Sequence, residues 1–287
     1  MIDQVQHIQT AYGIVGRELE IELSLACLRA RRHVLLEGPV GVGKTVLASA
    51  LSKHLGRPLH RVDGDERYTE QKLTGWFDPP LVLKLGYSQA SFVPGPIVHA
   101  MTGPGVLFIN ELNRMPEAVQ NVLLPALDEG LVSVPMLGQI STPEESGFLV
   151  VATQNPREFV GTGHLSEALR DRFELIRLDY QTFAEEVGIV IANTGETIHD
   201  LVAQAVTIGR ATRRHPAIKR GASVRAAIAI VQIARRLPPS FDLLEPALLA
   251  LPTRIELKEE AERDVEAVIK ELVEEAAKKV AGGSPTT

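Results

Sequence analysis

Residues 38–45 read Gly-Pro-Val-Gly-Val-Gly-Lys-Thr. This spacing of glycines, lysine and threonine suits the binding of a polyphosphate. Gly38, Gly41 and Gly43 let the backbone curl until its N–H groups converge on phosphate oxygens, and a helix starting at Lys44 adds the partial positive charge of its N-terminus. Lys44 has the reach for the β- and γ-phosphates of a nucleotide, and the Thr45 hydroxyl is a ligand for Mg2+. The expected cradle is the whole loop: Gly38, Pro39, Val40, Gly41, Val42, Gly43, Lys44, Thr45 and Val46. An apolar run before it (His33 to Glu37) and a helix-forming run after it (Val46 to Leu51) supply the strand–loop–helix setting the motif requires.

Such a loop alone leaves kinases, GTPases and motors open, and the polar groups that end later apolar runs narrow the choice. Gly105-Val106-Leu107-Phe108-Ile109 ends in Asn110-Glu111, the place for a second nucleotide element near the cation and the attacking water. Glu111 is expected to polarise that water as a general base. Asn155 follows Val150–Gln154 and is expected beside the γ-phosphate, helping to hold the water. The stretch from Ser166 to Phe173 carries Arg170 and Arg172. An arginine projecting from this turn suits a finger that enters a neighbouring subunit's site and stabilises transition-state charge. Gly221-Ala222-Ser223-Val224-Arg225 opens a helix with Ser223 as its N-cap, and Arg225 is expected to reach back to the phosphates from a second domain.

The elements that must position these groups follow from periodicity. Strands are expected at 33–37, 58–63, 105–109, 148–153 and 174–179, alternating with helices at 17–31, 44–56, 95–102, 115–129 and 165–172. Nearly continuous apolar strands alternating with helices make an α/β fold, a doubly wound parallel five-stranded sheet with its ligand site at the strand C-terminal ends. Residues 64–94 are too long and too rich in glycine and proline for a plain connection. They are expected to be a functional insertion in which Leu81–Leu83 pairs with Ser91–Val93 as short strands. After residue 180 the strand signals stop. Helices are expected at 183–191, 198–213 and 223–237, with a last helix from Thr253 or Arg254 carrying an apolar stripe of Leu257, Ala261, Val265, Val268, Leu272 and Ala276. The expected domains are thus 1–180, α/β and nucleotide-binding, and 181–287, a helical lid with a frayed tail at 282–287.

Composition argues against several classes. The 287 residues are 45% hydrophobic, enough for a large core, and the net charge of −6 gives no overall basic field for nucleic acid. The one cysteine, Cys27, reads as a small core residue and rules out an internal disulfide, which fits a reducing cytoplasm. The N-terminal segment has no signal-peptide pattern, and no apolar run approaches the length needed to span a bilayer.

The chain resembles the MoxR family of AAA+ ATPases. The resemblance runs from Tyr12-Gly13-Ile14-Val15-Gly16-Arg17-Glu18 through Arg225 and is carried by GPVGVGKT, SFVPGPIVHA (91–100), NELNRMPEAVQNVLLPALDEG (110–130), ATQNP (152–156), EALRDRFELIRLDY (167–180) and GASVRAA (221–227). It implies ATP and Mg2+ as cofactors, a hexameric ring with a helical lid, and chaperone-like remodelling of partner proteins. It also implies pairing with a protein that carries a von Willebrand factor A domain. By motif match Arg172 is the arginine finger, with Arg170 the competitor, while Asn155 and Arg225 are the first and second sensors. Ile14 and Val15 lie against the adenine. One position departs from the family, whose second motif reads Asp-Glu where this chain has Asn110-Glu111. An amide lacks the charge that draws hydrated Mg2+, so weaker metal binding is expected at Thr45 and Asn110. The alternative function is a nucleotide-gated assembly module with little turnover.

Overall fold

Runs of consecutive buried residues at Val34–Leu36, Val106–Ile109 and Leu149–Thr153 mark these three strands as covered on both faces. A computed structural model describes the chain except for residues 1, 144–145, 156–164, 239, 262 and 282–287. It divides into two compact units, Met1–Pro39 with Gly43–Asp179, and Val40–Val42 with Tyr180–Thr287.

The first unit begins with α1 (Ile2–Tyr12) and α2 (Glu18–Arg29), then β1 (His33–Glu37), α3 (Lys44–His54) and β2 (Leu59–Asp63). Helix α2 carries Glu18 and Glu20 in its first turn and Arg29 in its last, in the sense that its dipole favours. The insertion follows as α4 (Glu70–Thr74), β3 (Gly75–Phe77), α5 (Pro79–Leu85) and β4 (Phe92–Pro94), leading into α6 (Pro96–Thr102), β5 (Val106–Asn110) and α7 (Glu117–Asp128). A hairpin of β6 (Leu131–Val134) and β7 (Gly138–Ser141) precedes β8 (Leu149–Gln154), the short α8 (Glu167–Arg170) and β9 (Phe173–Arg177). The central sheet has the order β2-β5-β8-β1-β9, and every pairing is parallel. The α/β fold with its five-stranded parallel sheet is therefore as the apolar runs predict. Phe108, Ile109, Leu36 and Leu107 are fully buried, each contributing about 1.5–3 kcal/mol by leaving water.

Two expectations fail in the insertion and one at the end of the chain. Residues 81–83 are helical, and the partner of β4 is β3. The Asp78 side chain accepts a hydrogen bond from Leu81 N–H at 3.1 Å and a proline stands at the first helical position, which together start a helix. Gly75, at φ +125°, allows β4 to lie where a Cβ would meet the Phe92 ring and the Val93 carbonyl. The last helix begins at Val265, not at Thr253 or Arg254.

The second unit comprises α9 (Phe183–Thr194), α10 (His199–Thr212), β10 (Ile218–Arg220), α11 (Val224–Ala234), α12 (Leu244–Ala250), β11 (Glu256–Leu257) and α13 (Val265–Ala281). Helix α9 opens with a capping box between Thr182 and Glu185 and ends at Gly195 in the left-handed conformation. Leu257 pairs with Ile218 across β10 and β11 instead of joining the helical stripe. Of that stripe, Val268, Leu272 and Ala276 are buried in the helical core, together with Ile269. The tail at 282–287 lies outside the described residues. Among the described residues no helix is long and apolar enough to cross a membrane.

Candidate nucleotide site

The phosphate loop joins the end of β1 to the start of α3. Gly41 and Gly43 sit at φ +80° and +94°, left-handed conformations that glycine adopts without steric cost and that turn successive N–H groups the same way. Lys44 is the first residue of α3, and its Nζ donates to the carbonyls of Gly38 and Pro39, the latter at 2.8 Å. Val42 is buried, while Val40 and Val46 are exposed.

Register brings a second set of polar groups to the same end of the sheet. Asp63, the last residue of β2, stands opposite Asn110, the last of β5. Ile109 on β5 pairs with Ala152 on β8, one residue before Thr153. The Asn110 amide sits between these strands. Its Oδ1 accepts from Thr153 Oγ1 at 3.1 Å and faces Thr45 Oγ1 at 3.5 Å, and its Nδ2 donates to Asp63 Oδ1 at 3.0 Å. Arg61 also binds the Asp63 carboxylate, at 2.7 Å. It holds that carboxyl below the usual range, with the Asn110 amide adding to the effect.

Glu111 has φ +57°, rare for a side chain with a Cβ. Its N–H donates to Thr153 Oγ1 at 2.9 Å, and its carboxylate pairs with Arg114 at 3.0 Å. Gly64 completes this turn. Its N–H donates to the Asn110 carbonyl at 2.7 Å, and a Cβ there would overlap the Glu111 carbonyl. Strain held by surrounding bonds of this kind gathers at functional sites.

The remaining predicted residues take varied positions. Asn155 is buried directly after β8. Arg172, between α8 and β9, is about one-third exposed and forms ion pairs with Asp128, at the end of α7, and with Asp171 at 3.0 Å. Its guanidinium keeps the Asp128 carboxyl below the usual range. Arg170 is exposed at the end of α8. Ile14 and Val15 are half-buried, and a cavity of about 540 Å³ opens beside them, between Ala11, Tyr12 and Gly13 and the Thr45, Val46, Ser49 and Phe108 side. Neither Ile14 nor Val15 lines it. Arg225 is exposed in the first turn of α11, in the second unit. Ser223 occupies the N-cap position of that helix, but its side chain makes no capping hydrogen bond.

Sequence reasoning misses Asp63, Gly64, Thr153, Arg114 and Asp128. Asp63-Gly64 reads as an ordinary turn after a strand, and only the register of β2 against β5 gives it meaning. His33 reads as a strand residue only. Its Nδ1 accepts the Val150 N–H at 3.0 Å, and burial lowers its pKa to about 4.

A parallel sheet with a phosphate loop after β1 and an acid at the end of β5 defines a P-loop nucleoside triphosphatase domain. Residues 33–173 match the AAA domain of the dynein-related subfamily. The uncharacterized protein YeaC of Bacillus subtilis is 30% identical over 94% of this chain and 92% of its own. Chaperone MoxR1 of Mycobacterium tuberculosis is 31% identical over 78% of this chain and 65% of its own. Among solved structures, a protein from Cytophaga hutchinsonii assigned as an ATPase without proof of activity aligns over 95% of this chain and 94% of its own, with TM-score 0.52 and 23% identity. RuvB of Thermotoga maritima aligns over 91% and 70%, with TM-score 0.55 and 19% identity. These last two likenesses concern the fold. The chain belongs to the MoxR family of AAA+ ATPases.

Proposed function

We propose that this protein binds and hydrolyses ATP with Mg2+, assembles into a hexameric ring, and uses the cycle to remodel partner proteins. The observation that carries the reading is the meeting of the phosphate loop with the ends of β5 and β8, where Thr45 stands 3.5 Å from Asn110 and Glu111 is anchored through Thr153. Lys44 and the loop N–H groups bind the phosphates, and Ile14 and Val15 flank the base. The oxygen donors of Thr45 and Asn110 suit Mg2+, which favours few protein ligands and keeps its waters. When bound, the cation neutralises charge on the phosphates. Glu111 accepts a proton from the attacking water at its carboxylate, Asn155 orients that water, and Arg172 of a neighbouring copy and Arg225 offset phosphate charge. The likeness to chaperone MoxR1 supports protein remodelling, and a partner with a von Willebrand factor A domain is proposed on the family resemblance alone.

A second reading, a nucleotide-gated assembly module with negligible turnover, is favoured by the uncharged Asn110. ATP turnover measured against protein concentration separates the two. Turnover that rises steeply with concentration supports the hydrolysing ring. Assembly on ATP without turnover supports the second reading. Glu111→Gln is expected to keep ATP affinity and lower turnover by about 10²–10⁴-fold, and wild-type turnover in this variant would remove Glu111 from the base role. Lys44→Ala is expected to lose ATP binding, and unchanged affinity would overturn the nucleotide reading.

A further inference from the structure

The amide at position 110 raises a question of orientation that a carboxylate would not. A carboxylate has two equivalent acceptor oxygens, whereas an amide presents an acceptor on one edge and a donor on the other. Only one orientation of Asn110 turns an oxygen toward Thr45.

The neighbours fix that orientation by chemistry. Asp63 is an acceptor, so the edge of Asn110 facing it at 3.0 Å must be the NH2. On the opposite edge, the Thr153 hydroxyl already accepts the Glu111 N–H, so its own proton points to Asn110 Oδ1 at 3.1 Å. Arg61, two residues back on β2, contacts both Asp63 oxygens and holds the carboxylate in place. The amide oxygen is thereby left facing Thr45.

We propose that Asp63 is a positioning residue for the metal–nucleotide site: it locks the Asn110 amide with its oxygen toward Thr45 and the hydrated cation, so that an amide serves where the family places a carboxylate. This rests on the nucleotide reading above. It follows that a carboxylate at 110 should not simply be better in this chain. An aspartate in place of Asn110 would set two acceptor-only groups in contact across β2 and β5, a repulsive pair.

The test is a double-mutant cycle read by equilibrium binding of a fluorescent, non-hydrolysable ATP analogue, titrated with Mg2+ and separately measured in EDTA. Asp63→Ala frees the amide to turn and is expected to raise the half-saturating Mg2+ concentration about tenfold, the size of a lost hydrogen bond to a charged group. Its affinity in EDTA and its melting temperature should stay at wild-type values, because Asp63 is exposed. Asn110→Asp alone should fail to lower the Mg2+ requirement. Asn110→Asp in the Asp63→Ala background should lower it to the wild-type value or below, since a lone carboxylate needs no orienting partner. The proposal is overturned if Asp63→Ala leaves the Mg2+ requirement within about twofold of wild type, or if Asn110→Asp has the same effect in both backgrounds. If the wild type binds the analogue equally well in Mg2+ and EDTA, or Lys44→Ala binds it normally, the nucleotide reading itself fails.

Discussion

Alanine at position 64 is a small perturbation whose effect can be worked out from the turn it enters. The added Cβ would overlap the Glu111 carbonyl oxygen, lie 2.9 Å from the Glu111 carbonyl carbon and 3.0 Å from the Asn110 oxygen. All three atoms are backbone, so no side chain can swing away. Reaching ordinary contact of about 3.5 Å with that oxygen requires the ends of β2 and β5 to part by roughly 1.4 Å. Overpacking of this kind costs about 1–3 kcal/mol of stability. The displacement falls on Asn110 and Glu111, and a 1 Å misplacement of reacting groups costs about 100-fold in rate. Gly64→Ala should therefore melt earlier in urea and hydrolyse ATP about 100-fold more slowly, while ATP affinity in EDTA, which rests on the loop after β1, stays near wild type. Gly56→Ala is the control. Gly56 has φ +65°, and a Cβ there meets nothing within 4 Å, so it should lose about 1 kcal/mol of stability with turnover unchanged. Wild-type stability and turnover in Gly64→Ala would refute the close packing of this turn. An equal fall in turnover and in ATP affinity measured in EDTA would refute the separation of loop and strand end.

Arg172→Ala should bind ATP yet lose about 10³-fold or more in turnover. Mixing it with Lys44→Ala subunits should restore part of the activity, and a loss confined to Arg170→Ala would move the role there. Glu186 is 3% exposed and pairs with Arg210 at 3.1 Å and Arg213 at 2.7 Å. Glu186→Gln should cost about 3 kcal/mol in urea denaturation, because it leaves two partly buried arginines without their anion, and a loss under about 1 kcal/mol would show that the pairs contribute little. His33, with its pKa lowered by burial to about 4, takes up its proton in the unfolded chain first as pH falls. Its share of stability is therefore full above the unfolded value near 6.5 and is lost on descent toward 4. Between pH 7 and pH 5 wild type should lose about 2 kcal/mol more than His33→Gln, and parallel pH curves would remove His33 as the cause.

The centre of the sheet is legible because its three middle strands are buried on both faces and therefore read as unbroken apolar runs, as Val34–Leu36 and Val106–Ile109 do. The loop is legible because its chemistry demands fixed spacing. Helix α5 is misread because Leu81-Val82-Leu83 looks like a strand until Asp78 and Pro79 are weighed as a helix start. The start of α13 is misread because Leu257, spaced like a member of the helical stripe, pairs with Ile218 from far earlier in the chain. Asp63 escapes notice because its partner lies 47 residues away. Local pattern contains no trace of register, so a polar network across strand ends emerges only when the strands are aligned.

The bond between Asp63 and Asn110 also bears on how such a chain changes by descent. Aspartate and asparagine codons differ by a single base, so either position can switch in one step. A switch at 110 alone sets two carboxylates face to face, and the loss of the acid at 63 alone unlocks the amide. Neither half-step is comfortable, and the pair is expected to be inherited as a unit. Lineages with aspartate at the position of Asn110 should carry a non-acidic residue at that of Asp63.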